Sequence, residues 1–102
     1  MSEELETTIM TIIGFAGDAR SKAFTALDHA KKGEFEEADR LMEEASANLH
    51  EAHEGQTNLL IAEAQGKKME IGVLLIHSQD HLMTAMLAYD LIKEIIDMCK
   101  NK

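Results

Sequence analysis

The sequence predicts an all-α protein, an antiparallel up-down-up bundle of three helices. Three observations predict it. The chain has 102 residues with no Pro, a single Val and a single Tyr, and its 45% apolar content is mainly Ala, Leu, Ile and Met, a composition that favours helix over strand. Its apolar residues recur at spacings of three and four. Two glycines, Gly33 and Gly66, cut it into near-equal thirds. One domain over residues 1–102 fits this length.

The first helix is read as Glu3–Lys32. Ser2 is placed to cap it, with Glu3 and Glu4 in the first turn where the helix dipole favours acids. Leu5, Ile9, Ile12 or Ile13, Ala16, Ala19, Ala23, Ala26 or Leu27 and Ala30 line one side. Lys31 and Lys32 precede Gly33, the pattern of a helix C-terminus. The second helix, Glu34–Gln65, repeats the spacing with Phe35, Ala38, Leu41 or Met42, Ala45, Leu49, Ala52 and Leu59 or Leu60. It ends at Gln65-Gly66-Lys67-Lys68. Gly14, Gly17 and Gly55 are candidates for close helix approach. Short connections make neighbouring helices antiparallel. The turn Lys32–Ala38 looks like that of a helical-hairpin repeat, but Gly66 is followed by neither the aromatic nor the Ala, so a repeat array is rejected.

The third helix, Ile71–Lys100, is unlike the others. At 100° per residue and with His77 at zero, Ile76, Met83 and Leu87 fall on one side, Leu74 and Leu82 on the other, and Leu75 and Met86 opposite. Such a helix needs covering on nearly every azimuth, more than two partners in one small bundle provide. Part of it is therefore expected to lie in a subunit interface of a homo-oligomer.

Charge narrows the function. A net charge of −9 without a basic stripe argues against nucleic acid and anionic membrane surfaces. Met1–Glu6 is acidic where a secretory signal is basic. No uncharged stretch approaches the roughly twenty residues that span a bilayer. The lone Cys99 excludes an internal disulfide and fits a reducing cytoplasm; it is read as a small, partly buried hydrophobe or a frayed C-terminal residue.

The chemistry-bearing residues sit on the greasy third helix: His77-Ser78-Gln79-Asp80-His81, with Thr84 one turn on. His77, Asp80, His81 and Thr84 lie within about 60° of one line. Burying two imidazoles and a carboxylate is costly unless each is paired. Three readings follow: a hydrogen-bonded core cluster, a metal site, or phosphoryl chemistry on a histidine. Histidines at i and i+4 can share a zinc, with Asp80 as a third ligand. However, Ser78 stands where a zincin needs Glu, and no Glu-x-x-His of a di-iron bundle occurs. A lone Asp suits a hard cation such as Mg²⁺, provided several subunits contribute it. His50 and His53 are read as surface or core-edge residues. A neutral imidazole is a good nucleophile near neutral pH, and phosphoryl transfer asks mainly for positioning and charge neutralisation. No Gly-rich phosphate loop is present, so the phosphoryl donor would be another phosphoprotein.

Specific strings add to this. Ala16-Gly17-Asp18-Ala19-Arg20-Ser21-Lys22, Gly33-Glu34-Phe35 through Ala38-Asp39, Glu51-Ala52-His53, Gln56-Thr57, Glu63-Ala64 and above all His77-Ser78-Gln79-Asp80-His81-Leu82-Met83-Thr84 span nearly the whole chain. With them the sequence resembles the lactose/cellobiose-type enzyme IIA of the bacterial phosphoenolpyruvate-dependent sugar phosphotransferase system. The resemblance implies a cytoplasmic homotrimer of three-helix subunits. It implies that His77 carries the phosphoryl group, on Nε2, and that Asp80 of each subunit meets around one Mg²⁺ on the threefold axis. It implies the histidine-containing phosphocarrier protein as donor, a cysteine of enzyme IIB as acceptor, and a β-linked disaccharide of the lactose, cellobiose or chitobiose type entering through the membrane component. Gln79 and His81 match the family string without an assigned role.

Overall fold

The computed structural model describes residues 2–102. It contains three helices, α1 (Glu3–Lys31), α2 (Phe35–Ala64) and α3 (Val73–Lys100), and no strand among the described residues. The helices share a rod of 51 × 20 × 19 Å. At 1.5 Å per residue each is about 42–45 Å long, so all three run along the rod.

Local signals place the ends within a residue of expectation for α1 and α2. The Ser2 side chain accepts from the Leu5 amide at 3.1 Å, relieving one unpaired donor of the first turn. At the other end Gly33, with φ of 79°, lets the Gly33 amide reach the Ala30 carbonyl and the Glu34 amide reach that of His29. Gly66, with φ of 84°, repeats the motif, its amide on Glu63 and that of Lys67 on Ala62. Both are Schellman closures, which need the left-handed conformation that glycine adopts without strain. α3 starts at Val73 rather than Ile71. Gly72 precedes it in an extended conformation with no side chain to cap the helix, and glycine is a poor helix former.

The core follows the predicted faces. Ile9, Ile12 and the alanines at 16, 19, 23, 26 and 30 of α1 are buried, as are Ala38, Met42, Ala45, Ala52 and Leu59 of α2 and Leu82, Ala85, Ile92 and Ile96 of α3. The periodicity left four choices, which the structure resolves in favour of Ile12, Ala26, Met42 and Leu59; Leu60 is 58% exposed. α1 is the central partner, packed along both other helices, whereas α2 and α3 touch far less. Its alanine stripe explains this, since small side chains let helix axes approach to the near end of the usual 8–10 Å.

Contacts fix the heights of the helices against one another. Gly55 stands against Ile12, and Lys22 Nζ donates to Asn48 Oδ1 at 2.9 Å. Residue numbers thus fall along α2 as they rise along α1. Gln79 bonds Gln56 and Lys100 bonds Asp39, so numbers fall along α2 as they rise along α3. Of the three candidate close approaches only Gly55 is one: a Cβ there would lie 2.9 Å from Ile12 Cγ1, while Gly14 and Gly17 have open space. Cys99 is free and half-buried against the Ala–Ile cluster at the far end.

Gly55→Val forces branched carbons onto Ile12, which is fully buried. Urea unfolding is expected to show a loss of about 1–3 kcal/mol; unchanged stability would show that the α1–α2 contact is looser than described.

Candidate functional site

The site is built on the first three turns of α3. Ser78 points inward, fully buried, and its hydroxyl donates to the Leu75 carbonyl at 2.6 Å. Gln79 turns towards α2, where its Nε2 donates to Gln56 Oε1 at 2.7 Å and lies 3.3 Å from Ser78 Oγ. This amide clamp is the polar tie between α2 and α3 beside the site. Sequence reading did not find it, because the partners are 23 residues apart on separate helices.

The other polar residues of the string face outward. His77, Asp80 and Thr84 are exposed in the single chain and His81 is half-buried. The expectation of a buried polar cluster is therefore not met within one chain. The two imidazoles meet directly: His81 Nε2 lies 3.0 Å from His77 Nε2, with the rings edge to face at a centroid distance of 4.3 Å and an interplanar angle of 81°. One nitrogen must carry the proton and the other accept it. Thr84 Oγ1 donates to the Asp80 carbonyl at 2.6 Å, so the hydroxyl is turned back onto its own helix.

Within one chain the zinc reading of His77, Asp80 and His81 lacks its third ligand. The two histidine nitrogens satisfy each other, and among the described residues no three His, Cys, Asp or Glu side chains gather to hold a metal. His50 and His53 behave as surface residues: the His50 side chain is 74% exposed, 3.8 Å from Glu54 Oε2, and His53 is exposed.

The surroundings of Asp80 are apolar. Val73, Ile76, Met83, Leu87, Leu91 and Met98 are between 52% and 84% exposed. All lie within about 60° of the Asp80 azimuth. They form one uncovered stripe along α3 that carries Asp80 and, further along, the exposed Glu94, and no ion pair to Asp80 occurs among the described residues. His77 and Thr84 lie on the shoulder of this stripe. No helix among the described residues is long and apolar enough to cross a membrane, so the stripe is not a bilayer span.

Comparison with known proteins assigns the fold and the family. The family model described as the lactose/cellobiose-specific IIA subunit of the PTS system matches residues 7–100. The lactose-specific EIIA component of Staphylococcus epidermidis is 45% identical over 99 residues, covering 97% of this chain and 95% of the relative. The crystal structure of the cellobiose-specific enzyme IIA from Bacillus anthracis superimposes with a TM-score of 0.94 at 46% identity, covering 99% of this chain and 93% of that one. The IIA(Chitobiose) of Escherichia coli, solved in solution in complex with HPr, gives a TM-score of 0.82 at 43% identity, covering 98% of this chain and 97% of that one. With nearly its whole length matched by the family model, the relatives and the solved structures, the chain belongs to the lactose/cellobiose-specific IIA family of the sugar phosphotransferase system.

Proposed function

We propose that this chain is a cytoplasmic phosphocarrier. It takes a phosphoryl group from the histidine-containing phosphocarrier protein onto His77 Nε2. It passes the group to a cysteine of its enzyme IIB during uptake of a β-linked disaccharide of the lactose, cellobiose or chitobiose type. The E. coli relative solved with HPr supports the identity of the donor. The observation that carries the reading is the exposed His77 imidazole, whose Nε2, among the described residues, meets the Nε2 of His81.

The chemistry follows from that contact. A nucleophilic Nε2 needs a free lone pair, so His77 accepts and the His81 Nε2–H donates. The lone pair then attacks the phosphorus of the incoming phosphohistidine as the donor's N–P bond breaks. On leaving the lone pair, the His81 N–H is placed to bond a phosphoryl oxygen. In the second half-reaction a thiolate attacks phosphorus, and the His77 lone pair returns. Gln56 and Gln79 act earlier in the chain of causes: their bond, beside the buried Ser78, ties α3 to α2 and so fixes where His77 points.

The assembly reading is an antiparallel up-down-up bundle that trimerises through α3. The opposed numbering of the paired contacts supports the topology. The uncovered stripe supports the assembly, since apolar residues spaced three and four apart form the seam of a helical coiled coil. A threefold axis along this seam brings three Asp80 carboxylates together. Like charges this close in a low-dielectric seam repel strongly. The donor set, carboxylate oxygens with no basic partner, fits a hard divalent cation, so Asp80 would hold one Mg²⁺ per trimer. The ion's contribution is charge balance between subunits.

Incubation with phosphoenolpyruvate, enzyme I and the phosphocarrier is expected to add one acid-labile phosphate, absent in His77→Ala; a label that persists in the variant would overturn the assignment. Nitrogen NMR of the histidine rings in neutral form is expected to show Nε2 unprotonated on His77 and protonated on His81. The reverse pattern would contradict the direction of the bond. Asp80→Leu removes the repulsion, so it is expected to keep or strengthen the trimer without metal in sedimentation runs. Monomers for both proteins would defeat the axis.

A further inference from the structure

Two features lie outside the site and the α3 stripe. On α1, Phe24 is 50% exposed, and Arg20 beside it on the same face is exposed. On the opposite flank of the molecule, α2 and α3 part to leave a cleft of about 290 Å³ between Leu49, His50 and His53 on one wall and Met86, Tyr89 and Asp90 on the other. Among the described residues neither Arg20 nor Asp90 has an ion-pair partner. We infer that the Phe24 edge of α1 docks into the α2–α3 cleft of a second copy of this chain, with Arg20 of one copy paired to Asp90 of the next. The inference rests on the trimer reading above and adds to the axial seam a second, lateral contact.

Three observations carry it. The first is cyclic order. Gln79 and Met86, which face α2 and the cleft, lie about a third of a turn to one side of Asp80 on α3. Ala85 and Ile92, which share the core with Ala16 and Ala23 of α1, lie about a third of a turn to the other side. Rotation about an axis on the Asp80 side therefore sets α1 of one copy beside α2 and α3 of the next. The second is height, which rotation about an axis parallel to the bundle preserves. Lys22 bonds Asn48, so Phe24 stands level with Ser46 and Leu49 at the cleft. Gln56 bonds Gln79 and Asp39 bonds Lys100, which sets Asn48 and its partner Lys22 near Tyr89, so Arg20 stands within about one turn of Asp90. The third is complementarity. An aromatic knob meets an open cleft, and an unpaired cation meets an unpaired anion at its rim, the arrangement that fixes register in an interface. The two faces differ, so the contact is heterologous and closes into a ring under a threefold rotation.

The test is charge reversal with swap, read by sedimentation of the Mg²⁺-loaded protein over a dilution series. Arg20→Asp and Asp90→Arg alter exposed side chains, so each variant keeps its far-ultraviolet helix signal. Each single variant is expected to raise the concentration at which the trimer dissociates by about tenfold, and the double variant to restore it to within about threefold. Phe24→Ala is expected to weaken the trimer without rescue by either charge change. A wild-type trimer whose dissociation is unmoved by both single reversals, or a double variant that shows the sum of the two losses, overturns the lateral contact and leaves the axial reading standing. A monomeric wild type overturns both.

Discussion

The rest of the structure depends on one unmet requirement, the uncovered apolar face of α3. One chain supplies two partner helices, and these bury Leu82, Ala85, Ile92 and Ile96 while leaving Ile76, Met83, Leu87 and Leu91 about half exposed or more. Burial of a large aliphatic side chain stabilises by roughly 1.5–3 kcal/mol. A row of such side chains left in water is therefore a strong drive towards association. Asp80 in the middle of the row sets the terms, because covering it without a counter-charge would undo much of the gain.

The placement of His77 follows from the same helix. A nucleophile in the seam would be inaccessible to a partner protein, and one on the α2 or α1 side would be buried within the chain. On the shoulder of the stripe it is exposed in the single chain and, in the proposed reading, open to an incoming donor. The neighbouring turn supplies His81 at hydrogen-bond distance, one helical turn being the spacing at which side chains meet. The inward members of the string, Ser78 and Gln79, anchor the same segment to the core and to α2. Five consecutive residues thus divide into scaffold and chemistry according to azimuth alone.

Much of this was legible in the sequence. The helices of α1 and α2 were readable because Ser2, Gly33 and Gly66 are strong local punctuation and the alanine faces hold their period over eight turns. The α3 start was misplaced by two residues because Gly72 gives no positive capping signal. The azimuth of His77 and Asp80 could be computed from spacing, but their exposure could not, since burial depends on how many partner helices the chain itself provides. The choices Ile12 over Ile13 and Leu59 over Leu60 turn on small rotations that periodicity leaves open. The Gln56–Gln79 clamp and the Gly55–Ile12 contact join distant positions, and no local pattern announces either.

Native mass spectrometry of the Mg²⁺-loaded protein tests the central claim most directly. Its subunit mass is 11.3 kDa, so the copies and the metal are counted in one spectrum. The account predicts a species of three chains carrying a single divalent cation. Monomers without metal, under conditions that keep the helices folded, would contradict it.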